Sequence, residues 1–174
     1  MKVLFITQLL PWPPRTGGKY KTYRLLKLLS KKNTITLVTF HSDKKFGIVE
    51  ARNLEKKLGI KVKSFYRPEA TAPSKKIKKL ALKSLFTNKP FRVYKYFSYD
   101  VVNYLKNLSE EVNFDVLYFD HNTSFQYLKY VTDYKNMRII YDEHNINSLA
   151  MLRNAMEKRR RLVVRLFSLV DVVK

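Results

Sequence analysis

Residues 2–29 read KVLFIT QLLPWPPRT GG KYKTYRLLKLL. The first six are a short apolar run, the next nine a turn-rich segment, and the stretch after Gly17 and Gly18 is amphipathic at helical spacing. That order predicts strand, glycine loop, helix. Two glycines at a helix start let backbone N–H groups approach a ligand, because no Cβ stands in the way. The helix N-terminus adds partial positive charge. Arg15 and Lys19 flank the pair with full charges. The four residues together predict a phosphate site. Alone, a Gly-Gly pair also fits an ordinary tight turn.

The rest of the chain repeats the pattern. Residues 34–40 (TITLVTF) are rich in β-branched side chains and read as a second strand. Residues 46–58 are helical in pattern, with Ile48, Val49, Leu54 and Leu58 apolar and Gly59 as the stop. Residues 60–66 alternate as a third strand, and 69–74 form a loop edged by Pro68 and Pro73. Residues 75–86 (KKIKKLALKSLF) read as a basic helix with Ile77, Leu80, Ala81 and Leu85 near one face. Residues 89–96 read as a connector, and Ser98 as the N-cap of a helix to about Leu108. Residues 114–120 (FDVLYFD) and 138–142 (RIIYD) read as strands four and five, with a short helix over 125–131 between them. A long helix is expected over 146–168. Residues 169–174 then open a sixth strand that is cut off without a turn, so the chain is expected to be part of a longer protein or a truncated gene, the alternative being a natural C-terminus with a short edge strand.

Alternating strands and helices predict an α/β class: one Rossmann-like domain over residues 1–174, doubly wound, with a parallel sheet covered by helices on both faces. Such folds bind ligands beyond the carboxyl ends of their strands. Those ends fall at residues 11–19, 120–124 and 142–148. They hold His121 and His144 with Asp120, Asn122, Asp142, Glu143 and Asn145. Such polar groups can hydrogen-bond a polyhydroxylated ligand or supply a general base. Asn145 also fits a helix cap. No HxH or HxxxH spacing supports a metal site.

Composition removes several classes. The chain has 174 residues, is 45% hydrophobic and has no cysteine, so disulfide scaffolds, zinc–thiolate sites and cysteine nucleophiles are excluded. GxGxxG is missing after the first strand, as is GxxxxGK[ST], which argues against a dinucleotide enzyme and a P-loop NTPase. The first apolar run is too short for a signal peptide or a membrane span, and a cytoplasmic location is expected. The net charge is +21, and residues 1–99 carry 24 Lys/Arg against 4 Asp/Glu. A basic half attracts an anionic partner. The lysine-rich segment 75–86 could lie on anionic lipid, or cover the sheet with a solvated lysine face. Nucleic-acid binding is permitted by the charge, but no recognised motif supports it, and nucleic acid is not an expected partner. A non-catalytic scaffold is the other alternative.

The Pro-rich loop with Gly17-Gly18 before a helix, the segment 114–121 (FDVLYFDH), the segment 139–148 (IIYDEHNINS) and the tail 166–174 (LFSLVDVVK) together resemble the N-terminal domain of GT-B glycosyltransferases of the family 4 (group 1) type. The resemblance spans nearly the whole chain. It implies transfer of a sugar from a nucleotide-sugar donor, the substrate and not a cofactor, to a glycan acceptor, with retention and without a metal. Acceptors in such enzymes include polysaccharides and lipid-linked, membrane-presented glycans of the cell envelope. By the resemblance, Gly17 and Gly18, with Arg15 and Lys19, would meet the donor phosphates. His121 would sit near the transferred sugar as the catalytic residue, and Asp142, Glu143, His144 and Asn145 would line the acceptor side. The family's nucleotide-sugar domain, with two glutamates eight positions apart, has no counterpart here. Half a cleft is expected to be inactive alone.

Overall fold

The computed structural model describes residues 1–67, 81–86, 90–143, 147–157 and 168. Five strands, β1 (Lys2–Thr7), β2 (Thr34–His41), β3 (Lys61–Tyr66), β4 (Val116–Asp120) and β5 (Arg138–Asp142), form one sheet in the order β3-β2-β1-β4-β5. Every pairing is parallel. The longer helices are α1 (Gly17–Leu29), α2 (Gly47–Leu58), α3 (Tyr99–Glu111) and α4 (Asn147–Met156). The expected α/β class and doubly wound parallel sheet are what the chain forms.

Period-two alternation divides the core between two faces. Val3 and Phe5 of β1, Ile35 and Leu37 of β2 and Val116 of β4 point to one side, where Tyr23 and Leu26 of α1 and Ala51 and Leu54 of α2 cover them. Leu4, Ile6, Val38, Phe40, Leu117 and Phe119 point to the other, where Val101, Val102 and Leu105 of α3 and Tyr127 cover them. The first two crossovers therefore lie on one face and the crossover into β4 on the opposite face. The winding direction reverses between β1 and β4, and the crevice beyond their carboxyl ends is the switch point of the sheet.

Several local expectations change. Residues 89–96 are not a plain connector, because Phe91–Lys95 make one helical turn. Pro90 starts it: its φ of −54° suits helix entry, and its carbonyl accepts from the Tyr94 N–H at 3.0 Å. The short helix expected over 125–131 begins earlier, at Asn122–Phe125, and Leu128–Tyr130 form a separate 3-10 turn. In α2, Ala51 and Leu54 face inward, while Ile48 and Val49 are exposed. Residues 81–85 are helical, but Ser84 is the buried position and Leu85 is exposed. Ser98 occupies the N-cap of α3 without a side-chain bond; its N–H donates to the Tyr127 hydroxyl at 2.9 Å. Residues 75–80 of the basic segment, the loop 69–74, residues 158–167 of the expected long helix and the tail 169–174 lie outside the described residues.

His41 ends β2 as a buried ring whose Nδ1 lies 2.7 Å from the Ser64 hydroxyl. Burial holds its imidazole below the ordinary value, with Asp43 opposing. The unfolded chain then binds the proton first, so stability falls as pH drops below the ordinary histidine value of 6.5. The fall in Tm between neutral pH and about pH 5.5 is expected to be smaller in His41→Gln than in wild type, measured by differential scanning calorimetry.

Candidate functional site at the sheet switch point

Three strand ends and one helix start converge at the crevice. Leu10 donates its N–H to the Phe40 carbonyl at 2.8 Å, and Trp12 packs on Tyr23 of α1 with ring centroids 5.3 Å apart. These contacts fix the loop from β1 to α1. Thr16 is the N-cap, in extended conformation, with Oγ1 accepting from the Lys19 N–H at 3.5 Å. The first turn of α1 contains no acidic residue, so no carboxylate of its own offsets the positive end of the helix.

Gly17 and Gly18 are the first two helical residues. A helix leaves its first N–H groups without internal partners. Among the described residues, nothing lies within 4 Å of the Cβ that either glycine lacks, and neither has positive φ. The fold itself therefore does not require glycine at either place, although glycine costs about 0.4–1 kcal/mol relative to alanine where alanine fits. Glycine here keeps space open outside the backbone.

Arg15 is exposed beside this turn and Lys19 is half-buried in it. Burial lowers the Lys19 pKa; the Glu50 charge opposes this and the like charge of Arg15 adds to it. The structure thus brings Arg15, Gly17, Gly18 and Lys19 together.

Asp120, at the end of β4, ties the crevice to α1. Its Oδ2 accepts from the Thr7 hydroxyl at 2.6 Å and lies 2.9 Å from the Thr22 hydroxyl. Thr22 is also 3.1 Å from the Gly18 carbonyl, so β1, β4 and the glycine turn share one buried polar cluster.

Asp142 ends β5. Lys21 Nζ bridges both its oxygens, at 2.9 and 3.0 Å, and the Tyr118 hydroxyl donates to Oδ2 at 2.8 Å. Burial first, then the bond to Asp142, pushes the Tyr118 pKa up, which keeps its hydroxyl a donor. Glu143 accepts from the Asn122 N–H at 3.0 Å and from the Tyr141 hydroxyl at 2.5 Å, both through Oε2. Burial and that bond likewise raise the Tyr141 pKa.

His121 lies between these groups with φ 76° and ψ 152°, a region that side-chain-bearing residues rarely occupy. Three bonds hold it there. Its N–H donates to the Asp142 carbonyl at 2.8 Å, and its carbonyl accepts from the Ser124 hydroxyl at 2.7 Å and the Ser124 N–H at 3.1 Å. Its Nδ1 lies 3.6 Å from Glu143 Oε1. A neutral imidazole with its proton on Nδ1 and its lone pair on Nε2 could act as a general base or accept from a hydroxyl.

Asp142 and Glu143 stand at and just after the end of β5 with their carboxylates on protein groups: Asp142 on Lys21 and Tyr118, and Glu143 on Asn122 and Tyr141, 3.6 Å from His121. His144 and Asn145, the other two expected acceptor residues, lie outside the described residues. Lys21, Tyr118, Thr7 and Thr22 were not legible as site residues. Lys21 sits one turn beyond the glycines, and only the sheet order brings it opposite a strand end 121 residues away. Among the described residues there is no group of three or more His, Asp or Glu able to hold a metal ion, and no helix long and apolar enough to cross a membrane.

A scan of the sequence against protein-family models finds no match, and a search of curated proteins finds no significant relative.

Proposed function

We propose that this chain is the acceptor-side domain of a GT-B-type glycosyltransferase, moving a sugar from a nucleotide-sugar donor to a glycan acceptor. One observation carries the reading: Gly17 and Gly18 begin a helix at the sheet's switch point, with no described residue where their side chains would project and no acid within the first turn itself. A diphosphate suits that geometry. Its oxygens would accept from the orphan N–H groups, and Arg15 and Lys19 would offset its charge. His121, held by Glu143, would face the transferred sugar or the attacking hydroxyl. Lys21, oriented by Asp142 and Tyr118, adds a second cation at the rim. The partner domain of the complete enzyme would hold the nucleotide, and the basic N-terminal half favours a cytoplasmic enzyme whose acceptor is presented at a membrane.

Two effects of opposite sign test the reading. Gly17→Ala with Gly18→Ala is expected to stabilise the fold by about 0.4–1 kcal/mol per site. The same change is expected to weaken sugar-nucleotide binding by the full-length protein on the order of tenfold, because the methyl groups hold the diphosphate off the amides. Calorimetric titration beside thermal unfolding reads both. Raised stability with unchanged affinity would remove the glycine turn from the donor site.

A further inference from the structure

Two buried hydroxyls connect the glycine turn to His121. Thr22, Asp120 and Ser124 are 4%, 1% and 1% exposed, so bulk water is kept from their bonds. The Thr22 hydroxyl lies 3.1 Å from the Gly18 carbonyl and 2.9 Å from Asp120 Oδ2, a link across 98 residues of chain. The Ser124 hydroxyl lies 3.0 Å from the Asp120 carbonyl and 2.7 Å from the His121 carbonyl. Gly18, Thr22, Asp120, Ser124 and His121 therefore stand in one unbroken series. Asp120 is its hub, accepting through its carboxylate on one side and its main-chain carbonyl on the other.

A hydroxyl carries one proton, so Thr22 serves one acceptor at a time, the helix carbonyl or the carboxylate. Ser124 has the same choice between two carbonyls. Elements with two discrete arrangements can carry a change from one site to another. The turn supplies the bias. The Lys19 N–H and the Gly18 carbonyl belong to one amide, and that N–H has only a long contact of 3.5 Å to Thr16 Oγ1. An anionic oxygen accepting from it polarises the amide and strengthens the Gly18 carbonyl as an acceptor. The Thr22 proton is then drawn toward Gly18 and away from Asp120, which keeps the Thr7 hydroxyl at 2.6 Å. At the far end, His121 holds its φ of 76° through the Asp142 carbonyl and two bonds from Ser124. A peptide held in a sparsely populated conformation responds to any change in its holders.

We infer that Thr22 is a positioning residue for His121, acting through Asp120 and Ser124, so that an anion seated on the glycine turn is felt at the histidine. The inference rests on the preceding reading for the diphosphate and on the hydrogen bonds above for the rest. A filled donor site would set the histidine before an acceptor hydroxyl meets it.

The test is amide nuclear magnetic resonance of the 174-residue chain, with and without UDP. In wild type the His121 and Ser124 signals are expected to move with those of Gly17 and Gly18 on one saturation curve. In Thr22→Val the glycine signals should still move at saturating UDP, and the response at His121 and Ser124 should be lost. Thr22→Ser returns the hydroxyl and should return the response. A response at His121 that persists in Thr22→Val is the field of the diphosphate acting through space, and overturns the inference. So do His121 and Ser124 signals that stay in place while the glycines move. Glycine signals that stay in place overturn the diphosphate reading instead, and hydrogen exchange without UDP then decides the inference. The Ser124 N–H, 3.1 Å from the His121 carbonyl, is expected to exchange faster in Thr22→Val than in wild type, and at the wild-type rate in Thr22→Ser. Unchanged exchange at Ser124 in Thr22→Val overturns the inference whether or not UDP binds. Exchange that quickens evenly along the whole chain marks lost stability alone and overturns it too.

Discussion

Asp120→Ala is expected to destabilise the domain by about 2–4 kcal/mol, a large share of the stability of a chain this size. Asp120 is 1% exposed and Thr7 and Thr22 are nearly as buried. Removing the carboxylate leaves the enclosed Thr7 hydroxyl without its acceptor and the Thr22 hydroxyl with the Gly18 carbonyl alone, and an unmade bond costs the desolvation already spent on it. The loss is not the worth of two hydrogen bonds summed. It is the penalty for a half-dismantled cluster, so Thr22→Val added to Asp120→Ala should cost little more. Chemical denaturation of the single and double variants reads this directly. Equal and additive losses would show that the hydroxyls do not depend on Asp120. The cluster joins β1, β4 and the glycine turn, so Asp120→Ala should also loosen the start of α1.

His121→Gly is expected to raise stability by about 1 kcal/mol and, on the proposed transferase reading, to lower turnover of the full-length protein by about 10²–10⁴-fold. Glycine adopts φ near 76° without the steric cost that the histidine Cβ incurs, less glycine's own entropic cost. His121→Ala keeps a Cβ and so keeps the strain; it should lose turnover without the gain in stability. The pair separates backbone strain from side-chain chemistry. A His121→Gly protein that is more stable and fully active would mean that the strained histidine has no part in transfer. Loss of stability in His121→Gly would mean that the Glu143 contact outweighs the backbone cost.

The central strands β1, β2 and β4 were legible because burial on both faces leaves apolar runs such as residues 35–38, β3 because it alternates, and the class follows from the alternation of strands with helices. The glycine turn was legible because the order of strand, loop and helix is local. The rest depends on distance in sequence. The bridge from Lys21 to Asp142 spans 121 residues and exists only once β4 and β5 are laid beside β1. The conformation of His121 cannot be read from its identity, since a residue with a side chain takes positive φ only when its neighbours hold it there. Ile48 and Val49 belong to the apolar pattern of residues 46–58, yet the inward direction of α2 is set by Ala51 and Leu54, which leaves both outside. The acidic pair at residues 142–143 was legible as the end of a strand, but its bonds to Lys21, Tyr118 and Asn122 depend on side-chain directions that spacing does not encode.

The central claim is that the amides of Gly17 and Gly18 receive a diphosphate. The chain has only four glycines, whose amide signals lie in a sparse region of a proton–nitrogen correlation spectrum. Titration with a nucleoside diphosphate such as UDP should move the signals of Gly17 and Gly18, with that of Lys19, in one saturable transition, and leave those of Gly47 and Gly59 in place. Uniform small shifts across the basic surface, or saturable shifts that bypass Gly17 and Gly18, would contradict it.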